Sequence, residues 1–105
     1  MAQKRDQAIE IVRDFLDILT KKKITLFSAY IYGSYITDSV HPDSDIDVAI
    51  VSDALTGNWI EDWEMLCEAR RNIDVRIEPI PFRPEEFCDE NPLVWEIKHK
   101  GLRLR

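Results

Sequence analysis

The residues of this sequence best suited to chemistry are two aspartates, Asp45 and Asp47, at the start of an apolar segment. Residues two apart on a β-strand point to the same side, with their Cα atoms about 6.5 Å apart. On a strand, these two carboxylates can therefore flank divalent ions held about 3.5 to 4 Å from each other. Carboxylate oxygens are hard ligands that suit Mg²⁺. The pair predicts a metal site at a strand entrance.

This acidic segment has two simpler interpretations. An Asp-x-Asp sequence at a strand entrance is commonly only a solvated loop. An EF-hand calcium loop counted from Asp43 places Val48 where glycine is required and Ala54 where the bidentate glutamate belongs. The calcium loop is therefore excluded, and the solvated loop remains the alternative to a metal site.

Two further features favour a site over a loop. Gly33-Ser34 stands 12 positions before Asp45 and follows an apolar, β-branched and aromatic segment, which predicts a tight turn after a buried strand. Asp74 lies in a later segment, Ile73–Glu78, whose polar and apolar residues alternate. Alternation along a strand puts Asp74 on the side away from the core, where it can converge with the acidic pair.

The elements that must position these residues follow from periodicity, caps and turns. Apolar residues at helical spacing predict helices, and β-branched or alternating segments predict strands. The order indicates a mixed α/β (α+β) fold, a small mixed sheet with flanking helices. The predicted elements are a helix over Gln7–Leu19, strands over Leu26–Tyr32 and Ile46–Val51, a helix capped by Asn58 and ending near Arg70, a strand over Ile73–Glu78, a loop through Pro79, Pro81 and Pro84, a helix from Asn91-Pro92 to Gly101, and an edge strand within Leu102–Arg105.

Composition narrows the class of protein. A length of 105 residues predicts one domain, spanning residues 1–105. A net charge of −6 argues against general binding to nucleic acid or anionic membranes. Cys67 and Cys88 lack zinc-site spacing, so free thiols in a reducing cytoplasm are expected. The sequence shows no signal peptide and no apolar segment long enough to cross a bilayer.

The segment GSYITDSVHPDSDIDVAIV, from Gly33 to Val51, resembles the signature of the DNA polymerase beta-like nucleotidyltransferases. Within that superfamily it is most similar to the minimal nucleotidyltransferase (MNT) group. The resemblance implies that Gly33 and Ser34 contact the triphosphate of a nucleotide. It also implies that Asp45 and Asp47 are metal ligands for Mg²⁺ or Mn²⁺, with Asp74 as the third carboxylate.

The reaction implied by the resemblance is the in-line attack of a hydroxyl on the α-phosphorus of a nucleoside triphosphate, with release of pyrophosphate. The expected triphosphate is ATP. Backbone N–H groups at a glycine turn that leads into a helix form an anion site, which suits the phosphates. The turn departs from the commoner Gly-Ser-Arg-x-x-Gly by having Tyr35 and Asp38. A binding module with weakened affinity for phosphate is therefore an alternative to an enzyme.

Partners are also implied by the resemblance. Short MNT proteins are frequently paired with an all-helical HEPN protein in toxin–antitoxin modules, so the expected acceptor is a hydroxyl of such a partner. A small hydroxylated molecule is a further alternative acceptor. Association with a partner or as a homo-oligomer is also favoured by many large aromatic side chains for so small a core, although core packing explains them equally well: Trp59, Trp63, Phe82, Phe87 and Trp95.

Overall fold

A computed structural model describes residues 2–33 and 45–105, with side chains from residue 5 onward. The helix and turn expected just after Ser34 lie outside these residues. The elements are α1 (Ala2–Lys21), β1 (Ser28–Tyr32), β2 (Ile46–Val51), α2 (Trp59–Arg70), β3 (Ile77–Phe82), a 3₁₀ turn (Pro84–Glu86), α3 (Pro92–Lys100) and β4 (Leu102–Arg103). The predicted mixed α/β class is confirmed.

The described strands form one four-stranded mixed sheet in the order β3-β2-β1-β4. Strand β1 is antiparallel to both of its neighbours, β2 and β4. Strands β2 and β3 are parallel, and α2 provides the connection that parallel neighbours require. The ends of β2 and β3 that begin each strand therefore lie beside the end of β1 that leads into Gly33.

Each face of the sheet has its own apolar cluster, because alternate residues of a strand point to opposite faces. Helices α1 and α2 cover one face, and α3 with the 3₁₀ segment covers the other. The first cluster includes Val12, Phe15, Leu16, Leu19, Ile31, Ile46, Val48, Ile50, Leu66 and Ile77. The second contains Ala49, Val51, Phe82, Phe87, Val94 and Ile97, with Tyr30, Tyr32 and Ile80 packed against it.

Both capped helices begin where the sequence predicts. The side chain of Asn58 accepts a hydrogen bond from the Glu61 amide at 3.1 Å, and Asn91 accepts one from the Leu93 amide at 2.9 Å. Pro92 occupies the first turn of α3, where its missing N–H costs no hydrogen bond. These caps satisfy donors that the helices cannot satisfy internally.

The third strand lies four residues later than predicted. It spans Ile77–Phe82, whereas residues 71–76 form turns between α2 and β3. The amide of Ser52 bonds to the carbonyl of Phe82, so the even-numbered residues of β3 face β2. Pro79 and Pro81 then face outward from the sheet edge, where a missing N–H breaks no ladder bond. The strand continues through both prolines. Their missing N–H groups protect the edge of the sheet from pairing with another chain.

The aromatic side chains divide between core and surface. Phe82 and Phe87 are buried within the chain, so core packing accounts for both. Trp59 and Trp95 remain 51% and 46% exposed, which leaves them available for association. No helix in the described part of the chain is long and apolar enough to span a membrane.

Candidate active site

The register of the sheet brings three polar side chains into one row. Asp47 of β2 lies directly opposite Tyr32 of β1 and directly beside Glu78 of β3. Residues in such a row point to the same face, about 5 Å from their neighbours. Tyr32, Asp47 and Glu78 therefore form a polar row at the end of the sheet, on the face that α3 covers farther along.

Asp45 is one residue before β2, and its side chain is exposed. It stands two residues before Asp47, and its charge contributes, after burial, to raising the pKa of Asp47. Of the other residues predicted for the site, Ser34 lies outside the described residues. The structure thus brings Asp45 and Asp47 together beside the end of β1, next to Gly33.

Gly33 occupies a position that other residues cannot. Its φ of +82° is in the left-handed region, which costs a residue with a Cβ roughly 1–2 kcal/mol. A Cβ at Gly33 would also overlap the Oδ2 atom of Asp47. The glycine therefore lets the Asp47 carboxylate approach the backbone closely, at the turn where the sequence predicts contact with a triphosphate.

The electrostatic environment of this row disfavours negative charge. Burial, together with the charges of Asp45 and Glu78, raises the pKa of Asp47 above its ordinary value of 3.8. Burial, with smaller effects from Asp47 and Glu78, also raises the pKa of the Tyr32 hydroxyl. A carboxylate surrounded by like charges gains most when a cation arrives.

Glu78 lies in this row, although the sequence analysis does not name it as a site candidate. Its Oε1 accepts a hydrogen bond from the indole Nε1 of Trp63 at 3.2 Å, which fixes the carboxylate at the sheet edge. The alternation predicted for residues 73–78 puts Glu78 on the same side of the strand as Asp74. The available signal was parallel register: once β3 begins at Ile77, the residue after it must lie beside Asp47.

Asp74 does not join this row. It lies in the turn before β3 and forms a salt bridge with Arg76 at 2.8 Å. Asp74 also accepts hydrogen bonds from the Arg76 amide and Nε. These hydrogen bonds lower the pKa of Asp74 below its ordinary value of 3.8. The argument from alternation was wrong because residues 73–76 are not a strand, and Val75, expected to face the core, is 72% exposed.

Comparison with known families decides the identity of this arrangement. The family model described as "Polymerase beta, Nucleotidyltransferase" matches residues 14–90, more than half of the chain. The chain belongs to the polymerase beta nucleotidyltransferase family. The matched segment contains both Gly33 and the acidic pair, as well as Glu78. No curated protein is a significant match to the sequence.

A solved structure supports the same fold for this nucleotidyltransferase domain. It is the 1.40 Å crystal structure of a candidate nucleotidyltransferase from Sulfolobus solfataricus. The TM-score is 0.66 at 13% sequence identity, and the match covers 97% of this chain and 83% of that one. At this identity the likeness concerns the fold alone.

A divalent metal fits the donor chemistry of this nucleotidyltransferase. Among residues 2–33 and 45–105, no group of three His, Cys, Asp or Glu side chains is arranged to hold a metal ion. Two hard carboxylates nevertheless stand two residues apart at Asp45 and Asp47, and an Asp47 oxygen lies against the backbone of Gly33. This donor set suits Mg²⁺ or Mn²⁺ carried in with phosphate oxygens, because Mg²⁺ is usually bound by one or two carboxylates plus phosphates.

Proposed function

We propose that this protein is a metal-dependent nucleotidyltransferase that transfers AMP from ATP to a hydroxyl of a partner protein. The observation that carries the proposal is the juxtaposition of Asp47 with Glu78 beside it on β3 and with the backbone of Gly33, which the Asp47 carboxylate approaches closely. Family membership supports nucleotidyl transfer in general. The identity of nucleotide and acceptor rests on the sequence resemblance to the MNT group.

Each residue of the site has a distinct task in this proposal. The turn at Gly33 and Ser34 binds the triphosphate through backbone N–H groups and a hydroxyl. Asp45 and Asp47 hold Mg²⁺ or Mn²⁺, which supplies positive charge to offset the phosphates and the carboxylates. Glu78, rather than Asp74, takes the place of the third carboxylate beside the acceptor hydroxyl.

The bond changes balance without any other reactant. The acceptor oxygen forms a bond to the α-phosphorus, and the bond from that phosphorus to the pyrophosphate oxygen breaks. Glu78 accepts the proton that leaves the hydroxyl, because it lies beside Asp47 and Trp63 holds its carboxylate in place. The products are the nucleotidylated acceptor and pyrophosphate.

The partner in this proposal is an all-helical HEPN-type protein in the cytoplasm, which nucleotidylation silences. The expectation that this chain is the MNT antitoxin of such a pair comes from the resemblance of its Gly33–Val51 segment. The half-exposed Trp59 and Trp95 supply apolar surface for association with that protein or with a second copy of this chain.

Transfer of label tests the proposed activity. The purified protein is incubated with Mg²⁺, α-labelled or γ-labelled ATP, and the partner with which it co-purifies. The proposal expects label on the partner from α-labelled ATP only. Labelling should disappear with Asp47→Asn and persist with Asp74→Asn, which is the matched carboxylate outside the row. Label from γ-labelled ATP would instead mean phosphoryl transfer and would contradict the proposal.

A binding module without catalysis is the second candidate, favoured by the exposed apolar side chains Phe27, Ile60 and Val75, which are 67%, 63% and 72% exposed. Such a module would neutralise its partner by covering it. Tight complex formation without label on any macromolecule supports this candidate over the enzyme.

A further inference from the structure

The two edges of the sheet differ in their capacity to accept another strand. At the edge formed by β3, two prolines lack the N–H groups that a neighbouring strand would need. The other edge is β4, and the segment 102–105 that contains it has no proline. The Leu104 amide donates to the Ala29 carbonyl of β1 at 2.8 Å. Because such groups alternate in direction along a strand, the amide and the carbonyl of Arg103 point outward from the sheet.

A groove lies between this open edge and α1. Its volume is about 560 Å³, within the range of sites that hold ligands. Ile9 of α1 and Leu102 and Leu104 of the edge segment supply its apolar lining. Ile9 and Leu104 are partly buried against the first apolar cluster, so the lining of the groove is continuous with the core.

Positive charge surrounds this apolar lining. Arg5 and Arg13 of α1 and Arg103 of β4 line the groove, together with a single acid, Asp6. Arg5, Ile9 and Arg13 are four residues apart, which places them in one row along the helix. Among the side chains that the structure describes, no ion pair involves Arg5 or Arg13. In a chain of net charge −6, this groove is therefore a local site for negative charge.

The lining distinguishes between classes of anionic ligand. None of the described residues that line the groove is aromatic, so the bases of a nucleic acid have no ring on which to stack. The net charge of the chain also opposes general binding to a phosphate backbone. A peptide suits all three features of the groove. The open edge binds its main chain, the aliphatic lining binds alternate side chains, and the arginines bind its carboxylates.

A second copy of this chain does not suit the open edge. Antiparallel pairing of two β4 strands about a two-fold axis would bring Arg103 and Arg105 of one copy close to the same residues of the other. Like charges on facing strands destabilise the pairing. Charge complementarity therefore favours a different protein, with acidic residues in the segment that binds.

We propose that the groove between α1 and β4 docks an extended acidic segment of a partner protein, which adds to the sheet as a further strand beside β4. Carboxylates of that segment pair with Arg5, Arg13 and Arg103, and its apolar side chains contact Ile9 and Leu104. The groove lies on the sheet face that α1 covers, opposite the face of the polar row. Docking there is separate from nucleotidyl transfer and does not depend on it.

Peptide binding tests the groove directly. The probe is a short fluorescein-labelled peptide in which glutamate and valine alternate, and the control peptide has lysine in place of glutamate. Fluorescence anisotropy should show binding of the acidic peptide and none of the basic one. Equal binding of the two peptides, or binding of neither, would overturn the inference. Tighter binding of labelled oligothymidylate than of the acidic peptide would assign the groove to nucleic acid and would also overturn it.

The contribution of the groove arginines is measured with Arg13→Glu. Affinity for the acidic peptide should fall about 3- to 30-fold, because one exposed ion pair is replaced by a like-charge repulsion. Arg71→Glu is the matched control, since Arg71 is an exposed arginine outside the groove and the change in net charge is the same. This control should bind as wild type. Equal losses in the two variants would mean that net charge alone attracts the peptide, and the groove would lose its role.

Strand addition is separated from charge attraction at Arg103. Arg103→Ala removes the guanidinium and keeps the outward N–H, whereas Arg103→Pro removes both and breaks no hydrogen bond to β1. The proline variant should bind the acidic peptide about 2- to 10-fold more weakly than the alanine variant, because one main-chain hydrogen bond is lost. Circular dichroism checks that both variants are folded. Equal affinities would exclude a strand beside β4.

Two further measurements use the unchanged protein. N-methylation of either the valine or the glutamate amides blocks one edge of the peptide, and one of these two modified peptides should lose binding. Binding of both would contradict strand addition. Sedimentation of the wild-type protein should show no self-association that the acidic peptide displaces. Displacement of a dimer by the peptide would assign the open edge to a second copy and would overturn the proposal.

Discussion

Asp47 and Asp74 are both carboxylates near the beginning of a strand, and their surroundings are opposite. Asp47 has Asp45 and Glu78 for neighbours, and its pKa is raised. Asp74 has the guanidinium and amide of Arg76, and its pKa is lowered. The first carboxylate has like charges for neighbours, whereas the second is satisfied by a neighbouring arginine.

This contrast indicates how structural and functional acids can be distinguished. Like charges next to one another destabilise a folded protein, and such groupings cluster at functional sites. An acid paired with a neighbouring arginine in a turn holds that turn together. Asp62 extends the same pattern, since it is buried and accepts hydrogen bonds from the Thr56 amide, the Thr56 hydroxyl and the Gly57 amide.

Transfer activity should show the contrast most strongly. Asp47→Asn is expected to lower the rate of transfer by at least about 10³-fold, because metal-supplied charge stabilisation is worth several kcal/mol. Asp74→Asn should retain activity within about threefold and lose roughly 1 kcal/mol of stability with its ion pair and hydrogen bonds. Comparable loss of activity in the two variants, measured on the labelled partner, would remove the distinction.

Glu78 provides the next largest effect. Glu78→Gln should reduce transfer by about 10² to 10⁴, the usual contribution of a general base. The melting-temperature shift with Mg²⁺ and ATP should persist, because Asp45 and Asp47 remain. The control is Trp63→Phe, which keeps an aromatic ring and removes the indole donor; a smaller loss of rate is expected there. If Glu78→Gln transferred the nucleotide at the wild-type rate, another residue would have to serve as the third carboxylate.

The parts of this fold that are specified locally were predictable from the sequence. The span of β2 is the predicted one, Ile46–Val51. A short segment rich in apolar and β-branched residues, between polar residues on one side and Ser52 on the other, favours a strand over other secondary structures. Asn58 and Asn91 cap the predicted helices, because capping depends on residues within one turn. The position of Asp47 on β2 was likewise predictable, whereas Asp45 lies one residue before that strand.

The position of β3 was not predictable from local pattern. Ile73 packs against the first apolar cluster from a turn, which imitates the alternation of a strand. Pro79 and Pro81 indicate the end of a strand unless that strand lies at the edge of the sheet. Whether it does depends on the order of the strands in the sheet. Because the strand begins at Ile77 and not at Ile73, the sequence analysis names Asp74 as the third carboxylate and does not name Glu78.

Gly33 and Gly57 sharpen the comparison between site and scaffold. Both have positive φ, +82° and +92°, so Gly33→Ala and Gly57→Ala should each cost roughly 1–2 kcal/mol from backbone strain. A Cβ at Gly57 meets only the Arg83 Cδ at 3.4 Å, whereas one at Gly33 overlaps the Asp47 carboxylate. Only Gly33→Ala should therefore abolish the thermal shift with Mg²⁺ and ATP. Loss of that shift in both variants would mean that backbone strain alone, rather than displacement of the Asp47 carboxylate, controls binding.

The smallest expected effect is the pH dependence of stability in metal-free buffer, below about 1 kcal/mol for each residue. Because the pKa of Asp47 is raised, folded protein keeps a proton that unfolded protein has lost at pH values just above 3.8. Stability therefore falls as the pH rises through that window. The pKa of Asp74 is lowered, so its contribution is present above 3.8 and is lost as the pH falls below it.

Urea unfolding across both windows checks the signs. Asp47→Asn should flatten the curve above 3.8 and raise stability there, whereas Asp74→Asn should flatten it below 3.8 and lower stability above. A curve that Asp47→Asn leaves unchanged would mean that neither burial nor the charges of Asp45 and Glu78 raise the pKa of Asp47, and the carboxylate row would then lose its reason to bind a cation.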